Sequence, residues 1–145
     1  MLHTAADAAD DRSPAALEAA YAALLASTLE TVGRDRVAAE TALDGETLAA
    51  IADGDVADVT LAEAAAVLAT DEEYPDAEAV VFETRDHLLM GMTTAVLDVD
   101  TLAAATPLEY SGQEIQQAIE GRTALSLGAL AAIQSTIDRR VAGDD

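Results

Sequence analysis

Val37-Ala38-Ala39-Glu40-Thr41-Ala42-Leu43 returns 65 positions later as Leu102-Ala103-Ala104-Ala105-Thr106-Pro107-Leu108. In each copy a short segment ending in glycine follows (residues 45–54, then 112–121), and an apolar helix-like segment starts near Leu61 or Leu127. Self-similarity at a fixed spacing is the mark of a duplicated supersecondary unit. The expected fold is therefore all-α: two tandem repeats of about four helices, each a long helix followed by a trio of shorter ones. Function has to be sought in what that unit presents.

Composition supports this reading. A chain of 145 residues fits one domain or two small repeats sharing a core, and at that size roughly 68–70% of the unfolded surface is buried. Apolar residues make up 51% but aromatics only 3%, so the core is built of Ala, Leu and Val. Alanine has the highest helix propensity and lets helices approach closely.

The charge balance is extreme, with 28 acidic against 7 basic residues and a net charge of −21. Every basic residue is arginine, and lysine is absent. High net charge opposes collapse, but the apolar content and helical periodicity argue for folding. The pattern looks like that of halophilic archaea: at molar salt the Debye length shrinks to ~3 Å, so carboxylate self-repulsion is screened while hydration is kept. Without cysteine, disulfides, zinc–thiolate sites and thiol catalysis are excluded. Residues 1–11 have neither the basic start nor the apolar run of a secretory leader, and no stretch is long enough to span a bilayer. The expectation is a soluble, cytoplasmic chain.

Local signals divide the sequence. Residues 1–12 read as a mobile acidic tail, 13–70 as the N-terminal helical repeat, 71–76 as a linker and 77–145 as the C-terminal repeat. Ser13-Pro14 is an N-cap followed by proline at the first helical position. Leu17, Tyr21, Leu24, Leu25, Leu29 and Val32 then follow helical spacing, and Gly33 stops the run. Thr60-Leu61-Ala62-Glu63 and Ser111-Gly112-Gln113-Glu114 are capping boxes. The two copies align without gaps from Tyr21/Asp86 to Asp44/Glu109.

The order of short helix, turn, short helix ending in Glu/Asp-Gly, loop and apolar helix resembles the Cro/C1-type (lambda-repressor-like) helix-turn-helix. In the second copy, residues 102–106 resemble that family's first motif helix. Gln113-Glu114-Ile115-Gln116-Gln117-Ala118-Ile119-Glu120-Gly121-Arg122 resembles its recognition helix. The first copy matches through Ala38, Ala39, Glu40, Thr41, Leu48, Ile51, Asp53-Gly54, Leu61 and Val67. The whole chain also resembles uncharacterised small acidic haloarchaeal proteins. The first resemblance implies DNA reading by Gln113, Gln116 and Gln117, since glutamine pairs bidentately with adenine, and a phosphate contact from Arg122. Phosphate neutralisation needs cations, however, and residues 44–58 carry five acids and no base. The first copy thus reads as a degenerate unit used for packing or protein contact. Glu109, Glu114 and Glu120 flank the glutamines of the second, which a solvated helix face explains equally.

Catalytic and metal constellations are sparse. His3 falls in the tail; Glu83 and His87 share a helical face but lack a third ligand at a recognisable spacing. Asp53-Gly54-Asp55-Val56-Ala57-Asp58 lacks the glycine and glutamate of a calcium loop, and Asp98-Val99-Asp100 fails likewise. No cofactor, metal or small-molecule substrate is implied. The expected function is that of a non-catalytic interaction or regulatory protein on a degenerate helix-turn-helix scaffold, with a protein partner or self-association. Its interface would use Leu24, Leu29, Val32, Leu88, Met92 and Val96, the apolar faces at 24–32 and 88–96 forming an inter-repeat or dimer seam. The alternative is a salt-adapted transcriptional regulator contacting DNA through Gln113, Gln116, Gln117 and Arg122.

Overall fold

The computed structural model describes residues 2–7 and 11–143. Among them the chain is helical, as expected: α1 (Leu2–Asp7), α2 (Pro14–Val32), α3 (Arg34–Glu40), α4 (Gly45–Ala52), α5 (Leu61–Leu68), α6 (Ala77–Ala95), α7 (Val99–Ala105), α8 (Gly112–Ile119) and α9 (Leu127–Val141). The starts are written in the sequence. Ser13, Asp44, Thr60, Asp76, Asp98, Ser111 and Ser126 each accept an N–H from the first turn of their helix, satisfying a donor that has no partner within the helix. Both capping boxes form, at Thr60/Glu63 and at Ser111/Glu114.

The segments that enter α5 and α9 meet at the centre. Leu61 N–H donates to the Leu125 carbonyl at 2.7 Å and Leu127 N–H to that of Val59 at 2.8 Å, an isolated antiparallel bridge between Thr60 and Ser126. All four of these apolar residues are buried, so the exchange answers backbone groups that would otherwise be costly to desolvate. The long helices α2 and α6 each pack on both α5 and α9 rather than chiefly on one another. Buried Ala64, Ala65, Ala129, Ala131 and Ala132 keep these approaches close. Gly91 is the tightest point, where an added Cβ would come within 2.9 Å of Ile137. Buried threonines disturb nothing: Thr28, Thr84 and Thr106 donate to carbonyls one turn back, at 2.7–3.0 Å, and so carry their own partners.

One expectation needs correcting. Within the segment read as a mobile tail, Leu2–Asp7 is a helix lying against α2 and α6, with Leu2 fully buried. Its apolar first residue finds a place in the core, and the guanidinium of Arg12 pairs with Asp138 of α9. The buried ladder Leu17, Tyr21, Leu25, Leu29 of α2 and the buried ladder Val80, Thr84, Leu88, Met92 of α6 have the same four-residue spacing. Gly33 alone joins α2 to α3, whereas Val96, Leu97 and Asp98 join α6 to α7. No single helix among the described residues is long and apolar enough to cross a membrane.

Val96 closes α6 in the left-handed region, at φ 56° and ψ 49°, so that Leu97 turns back into the core with its N–H on the Met92 carbonyl at 2.9 Å. A β-branched residue is strained there. Val96→Gly is expected to stabilise the fold by about 1 kcal/mol in denaturant unfolding, whereas Val96→Ile leaves the strain in place. The start of α7 has a pH signature. The Thr101 backbone N–H, and then its hydroxyl, hold the Asp98 carboxyl below its ordinary 3.8. A carboxyl whose pKa is lower folded than unfolded contributes stability present above the ordinary value and lost as pH falls through the folded one. Asp98→Asn should therefore flatten the decline of unfolding free energy on the acid side of about pH 4.

Candidate functional site: the open face of α6

Helix α6 uses one face to build the core: Val80, Thr84, Leu88, Met92 and Ala95 are buried. An amphipathic helix should then be polar on its other side. This one is not. Phe82, the single phenylalanine of the chain, is 68% exposed and Leu89 is 50% exposed, with Met90 beyond them. Phe82 and Leu89 line a groove of about 890 Å³ that runs beside α6, with Ala62 of α5 and Ile119 at the end of α8 on its far wall. Ala62, Ala77 and Ala79 contribute no more than methyl groups, which leaves room for a bulky visitor. Two smaller depressions also share Leu89 and carry the apolar surface on, toward Val96 and Leu97 and toward Val99 and Gln116.

The rim is acidic. Asp76, Glu78, Glu83, Asp86 and Glu120 border the groove, and Arg85 is its one cationic lining residue. Arg85 does not serve the opening. Its guanidinium lies over Gly121, which has φ +81° and where an added Cβ would stand 2.6 Å from Nη1. That position, just past the last turn of α8, favours a cation through the helix dipole. The Arg85 Nε is buried there without a hydrogen-bond partner. Arg85 thus lies against the end of α8 and forms part of the groove wall.

The residues singled out from sequence are scattered by the fold. Leu29, Leu88 and Met92 are buried in the chain's own core; Leu24 and Val32 pack against it half-buried; Val96 alone is open to solvent. Helices α2 and α6, which carry the faces at 24–32 and 88–96, each pack on α9 and α5, so that both make contacts between residues 13–70 and 77–145. Gln113 and Gln116 are exposed on α8 and Gln117 is half-buried. Gln116 Nε2 donates to Glu120 Oε1 at 3.0 Å, and Arg122 lies 3.6 Å from the other oxygen of the same carboxylate. Glu83 and His87 are joined by no third ligand among the described residues; the His87 ring is stacked on His3 instead, with centroids 4.6 Å apart. Sequence reasoning missed Phe82 and Leu89 as surface residues. The available signal was that α6 is apolar on more than one side.

A model of the family described as "Family of unknown function (DUF5791)" matches residues 17–140. The chain belongs to that family. No curated protein and no solved structure matches this DUF5791 member.

Gly121 and Gly54 offer a controlled comparison, since both have φ near +80° but nothing approaches Gly54 within 4 Å. Gly54→Ala should cost about 1–2 kcal/mol for its backbone alone. Gly121→Ala should cost at least about 1 kcal/mol more in chemical denaturation, because Arg85 must move. Arg85→Ala in the Gly121→Ala background should recover that excess.

Proposed function

We propose that this DUF5791 member is a non-catalytic docking protein that receives a helical segment in the groove beside α6, and that its two halves are copies of one unit. Helix lengths support the duplication: 19, 7, 8 and 8 residues from α2 to α5, then 19, 7, 8 and 15 from α6 to α9. The Thr60–Ser126 bridge joins the corresponding N-caps of the last helix in each half.

The observation that carries the docking reading is an asymmetry between the halves. In the register set by the buried ladders, Phe82 and Leu89 of α6 correspond to Ala19 and Ala26 of α2, and Arg85 corresponds to Ala22. One copy keeps small residues where the other carries exposed bulk and a shaped wall. Large exposed apolar residues around a concavity mark interaction sites. In this reading the scaffold resembles a helix-turn-helix without its DNA role, and the carboxylates elsewhere keep the chain hydrated in brine. The α8 face supports DNA reading less well, because Gln116 and Arg122 are both engaged with Glu120 and phosphate contact needs free cations.

A displayed library of helical peptides, selected on the wild-type chain, tests this. Enriched peptides should bind the wild type and lose binding to the double variant Phe82→Ser/Leu89→Ser, whose substitutions lie at exposed positions. Peptides that bind both chains equally, or an absence of any enrichment, would refute docking at α6.

A further inference from the structure

The groove also specifies the chemistry of its occupant. We infer that it takes a cationic amphipathic helix, with a bulky apolar ridge facing Phe82 and Leu89 and Lys or Arg on both flanks. This rests on the docking reading and adds the charge of the partner.

Length comes first. Residues 76–89 of α6 border the groove, a run of about 20 Å at 1.5 Å per residue, enough for about four turns of a helix lying alongside. The far wall is formed by Ala62 of α5 and the end of α8, so the visitor lies between helices, as in the helix-in-groove mode of recognition. Depth comes from the alanines: a Leu or Phe side chain projecting from the visitor meets methyl groups and the edge of Phe82.

Charge decides between occupants. Five carboxylates border the opening, and the single lining cation, Arg85, is turned onto Gly121 and the end of α8. A second copy of this chain would set those carboxylates against themselves, and like charges face to face penalise association. A helix flanked by Lys or Arg meets them with opposite charge. Because the chain as a whole carries −21, attraction for any cation is general, and the specific part has to be separated from it. At about 1 M salt the Debye length is ~3 Å, so only pairs in contact across the rim survive.

The experiment is therefore run at about 1 M KCl. Two fluorescently labelled synthetic helices share one Leu/Phe ridge; one carries Lys on its flanks, the other Glu. Anisotropy titrations should show the Lys peptide binding at least about tenfold tighter than the Glu peptide. Phe82→Ser/Leu89→Ser should weaken the Lys peptide by about tenfold or more, and Glu78→Gln/Glu83→Gln should shrink its preference over the Glu peptide. Glu46→Gln on α4 together with Asp55→Asn in the loop after it, both at exposed positions, should change neither, and circular dichroism checks that every variant is folded. Equal binding of the two peptides, both sensitive to Phe82→Ser/Leu89→Ser, would overturn the charge assignment and leave docking standing. Binding of the Lys peptide that ignores Phe82→Ser/Leu89→Ser, or a wild-type dimer in sedimentation that Phe82→Ser dissolves, would overturn the cationic-helix assignment altogether.

Discussion

Two hydrogen bonds at the centre of the molecule organise the rest. Leu61 and Leu127 donate across to Leu125 and Val59, and each donor is the first residue of a helix. The exchange fixes where α5 and α9 begin, how they run relative to each other, and which of their faces are covered. Helices α2 and α6 each pack against both inner helices. With no tryptophan and one phenylalanine, the core has little bulk to spare. It relies on alanine and glycine at the crossings, where Gly91 lets α6 come down onto Ile137. Packing of this kind is sensitive to single methyl groups.

Much of this was legible in the sequence because it is local. Ser13, Asp44, Thr60, Ser111 and Ser126 announce helix starts through their own side chains, and Gly33 and Gly121 mark stops through their backbone freedom. The ladder on α2 follows from spacing alone. What failed was non-local. Nothing near Leu2 says that α2 and α6 leave a place for it. The break between α6 and α7 is hidden because Val96 adopts a conformation that valine rarely takes. The spacing of Leu88 and Leu89 does not say which of the two the fold will cover.

The same gap separates the buried ladder from the apolar residues left exposed. Leu29, Leu88 and Met92 are apolar and regularly spaced because the core needs them. Phe82, by contrast, breaks the amphipathic pattern and is left exposed. The wall beside it depends on a pair far apart in sequence, Arg85 and Gly121, which neither residue's neighbours foreshadow. The histidine pair shows the same thing: His3 and His87 come together only when α1 docks.

The account rests on α6 carrying bulky apolar side chains that the fold leaves uncovered, beside the apolar face it buries. The direct measurement is the unfolding free energy of Phe82→Ser beside that of Leu88→Ser. The account predicts that Phe82→Ser stays within about 0.5 kcal/mol of the parent chain, while Leu88→Ser, at a fully buried position, loses at least about 2–5 kcal/mol. A Phe82→Ser loss as large as that of Leu88→Ser would mean the chain itself covers this face, and no groove would be left for a partner.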